Sequence, residues 1–315
     1  MVQASRKRVL VLVGPTASGK TALAIDLAEQ LDAEIISADS RQIYRELTIG
    51  TAKPSPQELA RVPHHFINEL SLPAPYDAGA FMSDAQERIA QIFERGKTPL
   101  VVGGSTLYVQ GLVQGFSQLP KGDPVIRKRL YQELAQLGKE TLYARLKALD
   151  AAQAQTLDPT KTQRLIRSLE IIEITGRKVS ELKQEIVPPP FEVVMIGLDM
   201  PRKTLYERIN RRVEKMMQEG FLEEAKRLYE RFGERHKREK INALETVGYK
   251  ELFEHFRGEY TLSETVARIQ QHTRNYAKRQ LTFFRNKFNP TWIEAPQTEQ
   301  DLAFARQRVI SIFTR

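Results

Sequence analysis

The 315-residue chain contains no cysteine, so disulfide bonds and zinc–thiolate sites are excluded. Long hydrophobic runs are also missing: none approaches the roughly 20 residues that a membrane-spanning helix needs. The apolar run near the N-terminus ends at Gly14, which is typical of a buried strand rather than of a signal peptide. We therefore expect a cytoplasmic protein that does not associate with membranes, and we expect it to be a monomer.

The positive charge of the chain is unevenly distributed. Its net charge is +9, with 41% hydrophobic and 28% charged residues, an ordinary globular composition. Residues 201–290 contain 21 lysines and arginines against 13 acidic residues, whereas residues 1–200 contain 24 against 23. A localised basic surface is typical of a protein that binds a polyanion. A solvated helical face would explain the same excess equally well.

Apolar runs alternate with helical patterns in the first hundred residues. The runs at 8–13, 34–38 and 99–102 are largely apolar on both faces, as in parallel strands covered by helices. Apolar residues at helical spacing follow over 20–31 and 78–95. This order predicts the α/β fold class, with a P-loop NTPase-like, doubly wound parallel sheet flanked by helices.

The pattern changes after Gly115. Residues 124–185 are charged, show helical spacing and lack strand signals, so we predict a helical insertion. Pro188–Pro190 end it, because consecutive prolines cannot continue a helix. A strand-like run at 191–198 then returns the chain to the sheet, and 201–288 is helical and basic. The predicted organisation is a first part of the core at 1–119, the insertion domain at 120–187, and the return strand with C-terminal helices at 188–315, where Trp292 and Ile293 form a last strand or simply pack.

A P-loop follows the first predicted strand and precedes the first predicted helix. Its glycines let successive backbone N–H groups face one phosphate chain, and the helix N-terminus adds a partial positive charge. Lys20 supplies a cation, and the Thr21 hydroxyl can bind Mg²⁺. The motif is common in ATP-binding and other nucleotide-binding proteins, and by itself it does not identify the molecule. The predicted phosphate-binding residues are Gly14, Pro15, Thr16, Ala17, Ser18, Gly19, Lys20 and Thr21.

The residues after the next strands differ from those of nucleotide hydrolases, which keep a metal-binding Asp at the end of an apolar strand. Here the strand at 99–102 is followed by Gly103–Thr106, which contains no carboxylate. The strand at 34–38 is followed by Asp39. A carboxylate at the C-terminal end of a parallel strand lies where such folds bind ligands, so Asp39 is a candidate catalytic residue. The alternative role for Asp39 is to cap the next helix.

Seven segments, in their order and spacing, resemble the tRNA dimethylallyltransferases (tRNA isopentenyltransferases, the IPP transferase family) over almost the whole chain. The family usually has Thr where Ser105 stands; Ser keeps the hydroxyl, so Ser105 fills this role alone or shares it with Thr106. The zinc finger that some eukaryotic members append is absent, which indicates a bacterial-type protein. The segments are Gly14–Thr21, Asp39–Tyr44, Ile49–Pro54, Val102–Tyr108, Gln163–Arg167, Thr246–Tyr249 and Thr273–Arg279.

The resemblance implies transfer of a dimethylallyl group from dimethylallyl diphosphate to N6 of adenosine 37, beside the tRNA anticodon. The products would be N6-(dimethylallyl)adenosine and diphosphate. The N6 lone pair is delocalised into the ring, so the amine needs a general base, and Asp39 matches the family's base. Diphosphate is the leaving group, and P-loop amides, Lys20 and Mg²⁺ would stabilise its charge. Ser105 completes the set of catalytic residues that the resemblance implies.

Two arginines on a C-terminal helix are further candidates for the diphosphate. Arg208 and Arg212 are four residues apart, so they share one helix face. In the family pattern one of them binds the diphosphate, and the sequence does not indicate which. The alternative is a surface face on which both arginines pair with Glu207 and Glu214.

The target nucleotide must leave its stack to react, and arginines, amides and aromatic rings commonly hold such a nucleotide. Arg274, Lys278 and Arg285 share a helix face and are candidates for phosphate contacts. The alternative for Arg164 and Arg167 is an ordinary surface position. Positions that match tRNA-contacting positions of the family are Asp39, Ser40, Arg41, Gln42, Ser105, Arg127, Gln163, Arg164, Leu165, Ile166 and Arg167.

Other conspicuous residues have simpler interpretations. The aromatic residues Tyr276, Phe283 and Phe284 interleave with the basic stripe and are more typical of core packing. No further potential metal ligands accompany His64 and His65 in the sequence, so we interpret them as structural or substrate-lining residues.

Three other functions are compatible with parts of the sequence. A prenyltransferase acting on free AMP, ADP or ATP would share the P-loop and Asp39, but it would not need Gln163–Arg167 or the basic C-terminal third. A small-molecule P-loop kinase would need a nucleoside-triphosphate pocket and usually an arginine-bearing lid, which the insertion at 124–185 could imitate. A non-catalytic RNA-binding protein would leave the intact P-loop without a purpose.

Overall fold

A parallel sheet forms the centre of the larger of two compact units in the computed structural model. The model describes residues 7–117, 119–158 and 161–315. The larger unit comprises the described part of residues 1–113 together with Pro190–Arg315, and the smaller unit comprises the described part of Gln114–Pro189. Each unit has its own hydrophobic core. No helix in the described residues combines the length and apolar character needed to cross a membrane.

The sheet has six strands in the described residues, in the order β3-β2-β4-β1-β5-β6, and every neighbouring pair is parallel. The C-terminal ends of all strands therefore meet at one edge. The two-residue β3 was not predicted, whereas β6 contains the predicted Trp292 and Ile293. The strands are β1 (Arg8–Val13), β2 (Ala33–Ala38), β3 (His64–His65), β4 (Thr98–Gly103), β5 (Glu192–Asp199) and β6 (Thr291–Glu294).

Burial on both faces explains why β1 is apolar throughout. Val9, Val11 and Val13 pack into one hydrophobic cluster, and Leu10 and Leu12 pack into a second one on the other face of the sheet. All five side chains are fully buried. Helices cover both faces, as an unbroken apolar run predicts for a parallel strand.

Helices occur at the predicted patterns of 20–31, 78–95, 124–185 and 201–288, and three further helices in the described residues, α2, α4 and α13, were not predicted. Short 3-10 turns at Ile49–Thr51 and Asn242–Glu245 connect several elements. The helices are α1 (Lys20–Gln30), α2 (Pro56–Arg61), α3 (Ala78–Glu94), α4 (Thr106–Gln114), α5 (Pro124–Leu149), α6 (Ala151–Gln155), α7 (Thr162–Thr175), α8 (Val179–Leu182), α9 (Arg202–Gln218), α10 (Phe221–Arg238), α11 (Tyr249–Phe256), α12 (Leu262–Lys287) and α13 (Glu299–Phe313).

Two of the predicted tRNA-binding residues lie in the core of the smaller unit. On α7, Leu165 and Ile166 are only 3% and 1% exposed, and they pack against Leu130 of α5 in the core of this unit. An amphipathic helix must bury its apolar stripe, so these two side chains stabilise the unit, and their contact with tRNA stays a prediction. Their matched positions therefore contribute structure, while the polar residues around them remain at the surface.

Candidate active site

A cavity of about 1030 Å³ opens at the C-terminal edge of the sheet in the larger unit. The P-loop, the turn after β2, the loop after β4 and one face each of α9 and α12 line it. Ligands of open parallel α/β sheets bind at this edge. The fold thus brings Lys20, Asp39, Ser105, Arg208 and Arg212, which are far apart in the sequence, into one cavity.

Three positions of the P-loop have a positive φ, which favours glycine; Ala17 occupies one of them (φ 64°) and glycine the other two. Gly14 has φ 155° and Gly19, which precedes α1, has φ 86°. A β-carbon on Gly14 would lie 3.1 Å from the carbonyl oxygen of Leu198 on β5, so the loop also needs the small residue for space. These conformations direct the loop around the N-terminus of α1, where backbone amides favour an anion.

Lys20 lies across the P-loop. Its Nζ donates to the carbonyl oxygens of Gly14 at 2.9 Å and Pro15 at 2.7 Å. Burial, with a smaller contribution from the positive charge of Arg212, lowers the pKa of Lys20 to about 7, and the negative charge of Asp39 opposes this shift. The lysine therefore loses its proton more readily than an exposed lysine, and an anion in the cavity would favour its charged form.

Asp39 organises a turn and leaves one carboxylate oxygen for other partners. Its Oδ1 accepts from the backbone N–H groups of Arg41 at 2.8 Å and Gln42 at 3.3 Å. Residues 40–43 form a turn, so the alternative prediction that Asp39 caps a helix is wrong. In the described residues no hydrogen bond engages Oδ2, and the carboxylate is close enough to Lys20 to interact with it electrostatically. Asp39 is thus held at the cavity by its own turn.

Ser105 joins the loop after β4 to the Asp39 turn. Its hydroxyl accepts from the backbone N–H of Ser40 at 2.9 Å and lies 3.3 Å from the Ser40 hydroxyl. Its own N–H donates to Ala38 at 3.2 Å. Thr106 also lines the cavity but begins α4. Ser105 is therefore the residue that contacts the Asp39 turn directly.

Arg208 and Arg212 both line the cavity, and the described residues give neither of them an ion pair with Glu207 or Glu214. The alternative prediction of a surface ion-pair face is therefore wrong. Arg208 donates to the carbonyl oxygen of Pro296 at 3.2 Å, and Arg212 approaches that of Thr51 at 3.5 Å. Burial lowers the pKa of Arg212, and Asp39 opposes that shift. Two guanidinium groups without a carboxylate partner give the cavity the character of an anion site.

The basic stripe on α12 is more constrained than its spacing suggested. Arg274 donates to the side chain of Asn210 at 2.6 Å, and Arg285 forms an ion pair with Asp199 at 2.5 Å. Lys278 is exposed, and it lines a separate cleft of about 730 Å³ together with Arg285. Lys278 is thus the member of the stripe whose charge is best placed for a phosphate.

The aromatic residues of α12 divide between core and cavity. Phe284 is fully buried and Phe283 packs against the same cluster, as predicted for core residues. Tyr276 instead lines the cavity, where burial and the nearby Asp39 raise the pKa of its hydroxyl to about 12. That hydroxyl therefore remains protonated at neutral pH and can donate a hydrogen bond.

Two of the predicted tRNA-binding arginines of the smaller unit share one carboxylate. Arg127 and Arg167 form ion pairs of 2.9 and 2.8 Å with Glu170, whose side chain is fully buried. Gln163 and Arg164 are exposed on α7. In this unit, therefore, the exposed polar pair is better placed for RNA than the paired arginines are.

The two histidines have different surroundings. His64 lines the cavity, and its ring lies 2.8 Å from the carbonyl oxygen of Val62. His65 contacts the buried Glu34 at 2.7 Å and Arg88 at 2.6 Å, outside the cavity. His64 is thus a lining residue and His65 a structural one.

Sequence reasoning missed two supporting side chains. Glu224 of α10 is buried and accepts from the backbone N–H groups of Ile49 at 2.9 Å and Gly50 at 3.2 Å. This fixes the loop whose Thr51 carbonyl group faces Arg212. Gln280 of α12 accepts a hydrogen bond from the backbone N–H of Thr16 in the P-loop at 2.9 Å. Neither belonged to a motif with a known chemical role, so no signal in the sequence distinguished them from other helix residues.

Two family models match the sequence. The model described as IPP transferase matches residues 42–287, and the model described as isopentenyl transferase matches residues 7–75. A protein from Chloroherpeton thalassium described as a tRNA dimethylallyltransferase is 54% identical over 97% of this chain and 95% of its own. A protein of the same description from Chlorobaculum parvum is 56% identical over 94% and 95%.

Solved structures show the same fold. A tRNA isopentenylpyrophosphate transferase from Bacillus halodurans is 36% identical, with a TM-score of 0.72 over 98% of this chain and 97% of that one. A eukaryotic dimethylallyltransferase, described as acting on tRNA, is 29% identical, with a TM-score of 0.86 over 96% of this chain and 78% of that one. The similarity therefore includes both units of the molecule.

Proposed function

The chain belongs to the IPP transferase family, the tRNA dimethylallyltransferases, and from that premise we propose how its cavity performs the reaction. The enzyme transfers a dimethylallyl group to tRNA. We propose that the acceptor is N6 of adenosine 37 and that the donor is dimethylallyl diphosphate. One observation supports this most strongly: a single cavity is lined by the P-loop, by the cations Lys20 and Arg212, and by Asp39.

The P-loop side of the cavity fits the diphosphate of the donor. Backbone amides at the start of α1, Lys20 and the two arginines of α9 provide positive charge in a partly enclosed site. Charge on the diphosphate increases as the bond to carbon breaks, so preorganised donors stabilise the transition state more than the ground state. Arg212 is better placed than Arg208 to act there, because it is close enough to both Lys20 and Asp39 to affect them electrostatically.

Asp39 is proposed to be the general base. N6 of adenine forms a bond to the first carbon of the dimethylallyl group, and the bond from that carbon to the diphosphate oxygen breaks. The electron pair leaves with the diphosphate, and the proton from N6 goes to Oδ2 of Asp39. The oxygen Oδ1 stays engaged by its turn, which keeps the carboxylate oriented throughout the reaction. Ser105 is proposed to hold that turn in place through Ser40.

Mg²⁺ is proposed to accompany the diphosphate. No group of three or more acidic or histidine side chains in the described residues could hold a metal ion alone. The Thr21 hydroxyl at the start of α1 can supply one ligand, which fits an ion bound mostly by phosphate oxygens and water. When bound, the ion would neutralise charge on the leaving diphosphate. Thr21→Ala should raise the Mg²⁺ concentration required for activity, and full activity in EDTA would contradict this role.

Recognition of tRNA is proposed to involve both units. In the larger unit, Arg41 and Gln42 line the cavity beside Asp39. In the smaller unit, Gln163 and Arg164 are exposed on α7. A flipped adenosine needs such amide and guanidinium groups around its edge. We also propose that the enzyme acts in the cytoplasm and as a monomer.

Mass analysis of tRNA after incubation with the purified protein, Mg²⁺ and donor tests the proposal. We expect adenosine 37 to gain a single dimethylallyl group. Parallel reactions with AMP, ADP and ATP as acceptors, and with labelled ATP as a phosphate donor, test the other two enzyme classes. Prenylation of AMP as readily as of tRNA would overturn the proposed acceptor, and transfer of labelled phosphate would indicate a kinase.

A further inference from the structure

Gln280 connects the two loops on which the proposed reaction depends. Its side chain is 3% exposed, on the face of α12 that lines the cavity. The oxygen Oε1 accepts from the backbone N–H of Thr16 in the P-loop at 2.9 Å. The nitrogen Nε2 donates to the carbonyl oxygen of Gly104, after β4, at 2.8 Å. One buried amide therefore joins the phosphate loop to the loop that carries Ser105.

The two bonds require an amide in this orientation. The Thr16 N–H needs an acceptor and the Gly104 carbonyl group needs a donor, so only a side chain with both can satisfy them. The Gln280 side chain also fills the space beside Gly104, because a β-carbon on Gly104 would lie 2.2 Å from Nε2 of Gln280. A buried polar group that loses its partner destabilises its surroundings. Gln280 is therefore fitted to this place by hydrogen bonding and by packing.

The two hydrogen bonds of Gln280 join the loops that follow β1 and β4. The ladder between β1 and β4 ends at the pair Val13 and Gly103. From there one loop carries the amides that face phosphate, and the other leads through Ser105 to the turn of Asp39. The distance between the reacting carbon and the base depends on how these two loops are held. Small changes in such a distance have large effects on rate.

We propose that Gln280 is a positioning residue that sets the separation between the donor's phosphate loop and the acceptor-side base. It does not touch the reacting atoms; it acts through Thr16 on one side and through Gly104 and Ser105 on the other. This inference rests on the proposed function of the cavity.

Single-turnover kinetics of Gln280→Met test the inference, because methionine keeps the length but forms neither bond. We expect the chemical step to slow by about 10- to 100-fold. The dissociation constants of donor and tRNA, measured separately, should change by less than about threefold on the same argument. Gln270→Met is the matched control: it lies on the same helix, and its amide bonds to Asn210 and Glu214 instead. Its single-turnover rate should stay near that of the wild type.

A purely structural role would give a different result. It would lower the thermal unfolding temperature while the folded fraction kept the wild-type rate, and that outcome would overturn the proposal. If Gln280→Met does not fold, Gln280→Glu replaces it, since its carboxylate has nearly the same shape but cannot donate to Gly104. A wild-type rate for that variant would equally overturn the proposal. Prenylation of tRNA by the wild-type protein is measured separately. Failure of the proposed function is therefore distinguishable from failure of the inference about Gln280.

Discussion

Both units of the molecule carry arginines at positions that match substrate-binding positions of the family, but their partners differ. In the larger unit, Arg208 and Arg212 contact only carbonyl oxygens through the hydrogen bonds described above. In the smaller unit, Arg127 and Arg167 share the fully buried Glu170. Half-buried guanidinium groups without a carboxylate hydrogen-bond partner favour an anion. This supports the diphosphate site proposed for the larger unit, whereas the paired arginines of the smaller unit contribute to its stability.

The same contrast applies to the carboxylates. Glu170 is saturated: it accepts from both arginines and from the backbone N–H of Asp123. Asp39 uses one oxygen for its turn. A carboxylate that is oriented but not saturated can still take a proton, and one that is saturated cannot do so without breaking its pairs. The number of engaged oxygens thus distinguishes the proposed base from a structural acid.

Removal of the base should have the largest effect. Asp39→Ala should slow the single-turnover reaction by about 10²-fold or more, the usual scale for loss of a general base. Affinity for tRNA should fall much less, because many other groups contact the substrate. Rapid-quench measurements at saturating donor and tRNA give the rate, and equilibrium binding gives the affinity. A rate near that of the wild type would remove Asp39 from the mechanism.

The comparison of arginines predicts the next largest effect. Arg212→Gln should weaken donor binding by about 10- to 100-fold, because a hydrogen bond to a charged group contributes roughly 1.5–3 kcal/mol. Arg127→Gln should leave donor binding unchanged and lower the unfolding temperature instead, since Glu170 loses a partner. Calorimetric titration with donor and thermal melts of both variants measure these outcomes. If both changes weakened donor binding equally, the contrast between Arg212 in the cavity and Arg127 paired with Glu170 would be contradicted.

Lys20 should make donor binding depend on pH. Its pKa of about 7 lies far below the usual value because it is buried, and a bound diphosphate should raise it again. Above pH 7 the lysine must take up a proton to bind, so donor affinity should fall as pH rises, by at most about tenfold per pH unit. Titrations at pH 8 in two buffers of different ionisation enthalpy measure this uptake. Lys20→Met should bind weakly and without proton uptake; uptake that persists in this variant would assign the proton to another group.

The basic stripe on α12 should give the smallest effects. With about four to six phosphate contacts, the slope of log affinity for tRNA against log salt should be about −3 to −5. Replacing Arg274, Lys278 and Arg285 together by Gln should flatten that slope. Among single changes, Lys278→Gln should flatten it by about 0.7 to 0.9, and Arg285→Gln by less, because Asp199 already pairs with that guanidinium. Salt titrations of tRNA binding test this, and a larger effect from Arg285 would show that its ion pair opens on RNA.

Much of the fold followed from local patterns. The P-loop was recognisable because its function requires consecutive residues of particular types, and β1 because a strand buried on both faces must be apolar throughout. The short β3 escaped prediction because two residues cannot establish a period. Helices were easier, since their spacing repeats over many residues.

The partners of single side chains could not be predicted. Leu165 and Ile166 matched tRNA-contacting positions, but they form the core of the smaller unit. Arg274 and Arg285 shared a basic face, but neighbouring elements supplied Asn210 and Asp199 as partners. Helical spacing shows which residues share a helix face, but it does not show which residues of other elements contact that face.

The sequence by itself determined the parallel sheet, the phosphate loop and the position of a carboxylate at a strand end, because each depends on residues that are adjacent or periodic. Only the tertiary structure decided which charges are paired, which oxygen of Asp39 has no hydrogen bond within the described residues, and that Gln280 joins Thr16 to Gly104. Residues 16 and 280 are 264 positions apart. A hydrogen bond between them exists only because parallel strands end at one edge, where α12 crosses both loops.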